Sequence, residues 1–475
     1  MSEQYSPERR TALVLTGTGA DGAYHAGVLR ALHEAGVKID LVCGRGIGAV
    51  SAMLVAVDGA SRLWDPKGLW RAGPIAQLYR WRWPIRLLFG LLAALVGLLA
   101  SPLLFLALAI VAYPLGLLFG MAGLESGGSV MRRYLELIGG AFAPGALPTW
   151  LPRLITLIVI AGLVTLVVGS FVAWRRSPLR RRSRGPLAWA ILGAPLEGSA
   201  AADHFTTGLW DLLRGGTALK TPHSQDLSRR FSELLTENLG QPGFSELLLT
   251  VHDLDARSDL IFGLVREPYR RTLFPPPGGT GARRAESFDL AGLARDHLVD
   301  VIRAAVSVPG LTEPALARFA SDSYWRGEIH RLTDRAASLG RLLEEAAAAG
   351  AEQLILVTAS PEPPGPHELA HPRLDPLGRI SEHASSMEAA AVRDAARHVQ
   401  HRFRAVYQIR PSYNPVGAFD LSGAYDERSD RRHPLSELME RGYEDAYRDF
   451  IEPVVAASGE NLQTAAETEG WGKKN

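Results

Sequence analysis

The sequence predicts an α/β fold interrupted by helices that cross a membrane, and three observations carry that prediction. Two short apolar stretches, ALVLTG (12–17) and LVCG (41–44), each run through glycines into a helix-forming segment. Strand, glycine turn and helix in succession are the repeating unit of a largely parallel sheet, whose buried strands read as near-continuous apolar runs. Between Arg86 and Glu125 the chain then carries no charged residue, and a second uncharged run extends from Leu154 to Trp174. Strand-like segments resume beyond them, in ELLLTVHDLD (246–255) and QLILVTA (353–359).

The first strand leads into GTGADGAYHAGVLRALHEAG from Gly17. The second leads into LVCGRGIGAVSA (41–52), the layout of a nucleophile elbow, in which G-x-S-x-G lifts a serine above a sheet on a sharp turn. Here the corner reads Gly44-Arg45-Gly46-Ile47-Gly48, so Gly46 stands where a serine is expected. Ser51 lies too far into the following helix to replace it, and Cys43 lies inside the strand, where an inert thiol is expected. Further on come RAAVSVPGLTEP (303–314) and SYWRGEIHR (323–331).

In order and spacing these segments resemble a patatin-like phospholipase domain. The resemblance implies a three-layer α/β/α sandwich with a mainly parallel sheet. It implies a serine that attacks an acyl ester, an aspartate as its base and an oxyanion hole of backbone amides, here at Gly17, Thr18 and Gly19. It puts the lost serine at Gly46 and the lost aspartate at Arg326, where Arg326-Gly327-Glu328 replaces the family's Asp-Gly-Gly. Asp21 stands where the loop often has a cation. Gly17-x-Gly19-x-x-Gly22 also fits a dinucleotide fingerprint, but the second strand does not end in the acidic residue that would hold a ribose.

The polar residues expected near the cleft are Asp21, His25, Glu328, His330 and Asp334, with Glu328 and Asp21 as candidates to activate water. Glu328 and His330 alternate, so they should share one face of a strand. The alternative is an ion-pair cluster of Arg326, Glu328 and Arg331 beside Trp325. No metal or cofactor is expected: Asp253, Asp255 and Asp259 read as turn formers, and prolines between 361 and 376 keep His367 and His371 off one helical face.

A net charge of +1 gives no bulk attraction to nucleic acid. With a single cysteine there is no internal disulfide, which fits a reducing compartment, and the polar residues 1–10 do not read as a secretory signal.

A bilayer crossing takes about 20 apolar residues. Residues 154–174 fit one crossing; residues 87–120, broken at Ser101-Pro102 and Pro114, fit one kinked span or two short ones. Arg80, Arg82 and Arg86 precede the first run, and six arginines fall within 175–184 after the second. The positive-inside rule places both flanks in the cytoplasm. The segments before and after the insertion must share a sheet, which requires an even number of crossings.

The expected organisation is therefore residues 1–80 as the first part of the patatin-like domain, 81–184 as the membrane insertion, 185–456 as the second part and 457–475 as a disordered tail. The functional expectation is a pseudoenzyme that binds membrane lipid or acts as a scaffold, anchored in a bacterial inner membrane with its patatin-like domain cytoplasmic. The alternatives are an active lipid acyl hydrolase using other residues and a nucleotide-binding enzyme through GTGADG. The oligomeric state is left open. Gly46→Ser is expected to fold, at a loss of roughly 1 kcal/mol or more where the chain has relaxed into a glycine-only conformation.

Overall fold

The computed structural model describes residues 5–122, 126–141, 143, 147–176, 194–215, 217, 219–274, 283–367, 369, 372–399 and 401–456. The arginines at 180–184, His371 and the expected tail 457–475 lie outside the described residues. The chain divides into two compact units, residues 1–80 with 197–475, and residues 81–196.

The first unit is built on a mixed, mostly parallel sheet of nine described strands with helices on both sides. These are β1 (Thr11–Thr16), β2 (Leu41–Arg45), β3 (Glu246–Asp253), β4 (Ser258–Leu264), β5 (Ser287–Asp289), β6 (Ala315–Arg318), β7 (Ile329–Thr333), β8 (Gln353–Thr358) and β9 (Ala405–Ile409). The spatial order is β9-β8-β1-β2-β3-β4-β5, and β7 pairs with both β3 and β6. Strands β9 to β3 run parallel, with Leu13 opposite Ile355 and Cys43 opposite Leu248, while β3 and β4 form the antiparallel hairpin expected at 246–265.

Alternation along the strands sends Ala12, Val14, Leu41, Cys43, Leu354 and Leu356 to one face. There they pack against Leu339, Leu342 and Leu343 of helix Ser338–Ala348 and Val392 of helix Pro376–Val399. Cys43 is enclosed in this layer, and burial holds its thiol well above the ordinary value, as an inert thiol requires. Helix α1 (Asp21–Glu34) follows β1, and α2 (Ile47–Ala56) follows β2 with a single residue between strand and helix. Both helices are largely buried.

The second unit contains α3 (Trp83–Leu99), α4 (Ser101–Met121), α5 (Ser126–Ala141) and α6 (Leu147–Arg176). The run 87–120 is thus two helices, parted at Ala100. Pro102 falls in the first turn of α4, where its missing N–H costs nothing, whereas Pro114 lies inside α4 without ending it. Helix α3 packs along α6 and α4 along α5, and the Tyr134 hydroxyl donates to the Phe105 carbonyl at 2.7 Å. Leu103–Met121 and Trp150–Arg175 are long and apolar enough to cross a membrane.

Candidate functional site: a closed nucleophile corner

Gly46 is the single residue joining β2 to α2, at φ 55° and ψ −137°. A side chain is strained in that conformation, which is the kind of geometry a nucleophile elbow imposes. The helix leaves the sheet so tightly that a Cβ on Gly48 would lie 2.1 Å from the Leu15 carbonyl oxygen. The corner therefore has the elbow's shape and lacks its hydroxyl.

Facing Gly46 is an aspartate, but not at the position expected from the sequence. A Cβ built on Gly46 would lie 2.9 Å from Asp334 Oδ2. Asp334 directly follows β7 and is 4% exposed. Arg326, the expected counterpart, is exposed on the turn before β7, at φ 46°. The aspartate that reaches the corner thus lies eight positions beyond Arg326, at Asp334, which the end of β7 carries there.

Asp334 is not free to act as a base on a neighbour. The Arg45 guanidinium, wholly buried, donates from Nη1 to both Asp334 oxygens at 3.2 and 3.3 Å. Its Nη2 donates to Glu388 Oε2 at 2.5 Å and its Nε to Thr16 Oγ1 at 3.0 Å. The Thr16 hydroxyl donates onward to Glu388 Oε1 at 2.5 Å. A buried charge is tolerated only when paired and hydrogen-bonded, and here every edge of the guanidinium has an acceptor. Burial pushes the Asp334 carboxyl up to about 6; Arg45 opposes the shift and Glu388 adds to it. His25 Nε2 donates to the Thr16 carbonyl at 3.1 Å, and burial lowers its imidazole to about 4, so it is neutral at pH 7.

Of the three amides expected to receive an oxyanion, that of Thr18 is taken up within the chain, as are two neighbouring donors. Ile47 N–H, the donor that follows the nucleophile position, is given to the Gly17 carbonyl at 3.0 Å. Thr18 N–H is given to Asp21 Oδ2 at 2.7 Å. Ala20 N–H is given to the Ala418 carbonyl at 2.8 Å, and that carbonyl would meet a Cβ on Gly19 at 2.1 Å. Asp21 thus occupies a donor of the loop. Its carboxyl is pushed up to about 7 by burial, against the Thr18 hydrogen bond. The Gly46→Ser expectation changes accordingly: its Cβ would sit 2.2 Å from the Gly17 oxygen, a backbone atom, so the cost rises to roughly 3 kcal/mol.

Glu328 and His330 do meet, but they meet elsewhere. Glu328 Oε2 lies 3.4 Å from His330 Nε2, and His330 Nδ1 lies 2.5 Å from Asp253 Oδ2 at the end of β3. At about 3.3 Å per residue, His330 stands roughly 13 Å up β7 from Asp334. Asp253 also accepts the N–H groups of Asp255 and Ala256, as its expected role in the turn requires. Arg331 pairs with Asp255, not with Glu328.

Sequence reasoning missed Arg45 and Glu388. Arg45 had a signal, being the only charge in LVCGRGIGAV, while Glu388 had none. A second polar group unforeseen from the sequence joins Asp426, Ser429, His433 and Glu437. Ser429 Oγ lies 2.8 Å from both Asp426 Oδ2 and His433 Nε2, and His433 Nδ1 lies 2.8 Å from Glu437. Asp426, lowered to about 2, is ionised and accepts from Tyr413, Ser429 and Arg428 N–H. The serine proton goes to that carboxylate, and the group closes a turn.

A family model described as patatin-like phospholipase matches residues 13–104, which include the first glycine loop and the whole corner. Over these residues the chain is similar to the patatin-like phospholipase family. The "Patatin-like phospholipase domain-containing protein 6" of Mus musculus and that of Homo sapiens are each 56% identical over 52 residues, 11% of this chain and 4% of theirs. "Lysophospholipase nte1" of Emericella nidulans is 50% identical over 50 residues, 10% of this chain and 3% of its own. "Triacylglycerol lipase ptl3" of Schizosaccharomyces pombe is 47% identical over 47 residues, 10% of each chain. The match therefore spans a tenth or less of these relatives. The crystal structure of VipD from Legionella pneumophila aligns with 95% of this chain and 68% of its own, at 14% identity and a TM-score of 0.29.

Proposed function

We propose that this patatin-like domain is catalytically silent and works by binding lipid, or by holding a partner, at a membrane surface. The observation that carries the reading is the glycine at the point where the corner faces Asp334. Two more support it: Arg45 holds the carboxylate, and Ile47 and Thr18 spend their N–H groups inside the chain. An oxyanion hole acts through donors aimed at developing charge, and a serine unit without its nucleophile keeps only residual catalysis. Lipid is the ligand class because the relatives are named as phospholipases and a lipase.

A second reading, an acyl hydrolase working through activated water, draws on one observation. The Asp21 carboxyl, pushed up to about 7, would titrate in the range useful to a general base. Full-length protein in nanodiscs, offered p-nitrophenyl esters and a lysophospholipid, decides between the two. Silence predicts turnover equal to that of heat-treated protein. Turnover above that level, lost in Asp21→Asn or Glu328→Gln, would replace the silent reading with the second.

The apolar helices support a place at the membrane for this domain. Strands β2 and β3 are hydrogen-bonded neighbours, yet the chain between them includes Leu103–Met121 and Trp150–Arg175. A chain that leaves and re-enters one sheet must cross an even number of times, and the arginines at both flanks favour the cytoplasmic side. The protein should therefore resist extraction by carbonate and high salt. Reporters at the N-terminus and near residue 183 should read cytoplasmic, and one near Ser126 should read the opposite side. Different sides for the first two would break the argument.

A further inference from the structure

The closed corner turns on one peptide unit. The Gly17 carbonyl and the Thr18 N–H belong to the same peptide bond, and each end is held. The oxygen accepts from Ile47 N–H at 3.0 Å, and the N–H donates to Asp21 Oδ2 at 2.7 Å. The oxygen therefore stands in the corner where an oxyanion would be received, and the donor of the same peptide points away toward Asp21. Gly17 has φ +150°, a conformation that side chains rarely adopt, and rotation about bonds next to a glycine meets no Cβ.

We propose that the Gly17–Thr18 peptide is an autoinhibitory latch: the chain fills its own anion-receiving corner with the Gly17 carbonyl, and the Asp21 carboxylate holds that peptide turned. Turning it over would free Ile47 N–H and bring Thr18 N–H alongside it, two donors converging on one acceptor. Asp21 is well placed for the task because it opens α1, and its own N–H returns to the Thr18 carbonyl at 3.3 Å. Asp21 is thus a positioning residue that acts through the loop. The inference builds on the closed site described above but does not depend on whether the protein turns over substrate, because its readout is a backbone amide.

The test is residue-resolved hydrogen exchange on the full-length protein in nanodiscs, wild type against Asp21→Ala. Ile47 amide exchange should quicken at least tenfold in Asp21→Ala, while the Cys43 amide, inside the sheet, should not change. Equal Ile47 protection in both proteins would overturn the latch, and equal quickening at Ile47 and Cys43 would overturn it too, as plain destabilisation. A second measurement uses the clash at Gly46. Gly46→Ser must displace the Gly17 oxygen, so releasing the peptide should relieve it. The double variant Gly46→Ser/Asp21→Ala should melt no lower than Gly46→Ser alone, and a fluorophosphonate probe should label it at least tenfold faster. Strictly additive losses in melting temperature with unchanged labelling would refute the coupling. Turnover by the wild type with Ile47 still protected would count against the silent reading and leave the latch standing.

Discussion

In the sheet unit an arginine is wholly enclosed beside two carboxylates; in the helical unit Phe89, Leu103, Ile110 and Met121 lie 62 to 86% exposed. Each region reverses the usual arrangement of charge outside and hydrocarbon inside, and the two reversals have different causes. At Arg45 the charge is retained because acceptors from Thr16, Asp334 and Glu388 surround it, so the energy lies in pairing. On α4 these side chains lie exposed among the described residues, and their uniformly apolar character is what the proposed lipid surroundings would accommodate. Polar residues out of place thus point to neighbours in the chain, and apolar residues out of place point to the solvent.

Substitutions that change only one side of this contrast test it. Arg45→Met leaves two buried carboxylates without their cation, and losing one partner of a buried pair costs about 3–5 kcal/mol, the largest effect expected here. Chemical denaturation would measure it; a loss under 1 kcal/mol would mean that the cluster is wet. Ile110→Arg addresses the other side. Arginine near the middle of a span opposes insertion by about 2.5–3.5 kcal/mol, so the membrane-integrated fraction should fall. A helix that faced water would gain solubility from the same change, so the sign of the effect identifies the medium.

The third effect is a slope with pH. Asp21 rises on folding from 3.8 to about 7, so the folded chain holds that proton more tightly. Between pH 4 and 7 this group is protonated in the native state and ionised in the unfolded one, so its contribution to stability falls as pH rises, by roughly 1 kcal/mol per unit. Asp21→Asn removes this contribution, so its melting temperature should climb relative to wild type across that window. A constant difference would show that Asp21 titrates normally. Arg326→Asp should do least, within about 0.5 kcal/mol, because the side chain is exposed. It should add no labelling to Gly46→Ser, since Asp334 already occupies the corner.

The elements whose logic is local could be read from the sequence. The two strand-glycine-helix units, the hairpin at 246–265 and the apolar runs each declare themselves within about twenty residues. So did the missing hydroxyl at Gly46. The aspartate was harder: the fragment Arg326-Gly327 looks more like Asp-Gly than Asp334-Arg335 does, and only the end of β7 settles which one reaches the corner. The charge cluster was out of reach because it joins Arg45 to partners 289 and 343 residues away. No spacing rule spans such distances; the sheet order brings the groups together.

That sheet order also sets a timetable for synthesis. β1 pairs with β2 and β8, and Thr11 meets Gln353 only after 342 residues have been added. β2 waits for β3 across roughly 200 residues, which at 5–20 residues per second is on the order of 10–40 s. During that interval two bare apolar strands leave the ribosome with open edges, a hazard for aggregation. The next segments to emerge are the apolar helices. If these enter a bilayer, as proposed above, they would tether the unfinished sheet to a surface before its remaining strands exist, and the domain would complete its fold beside the membrane.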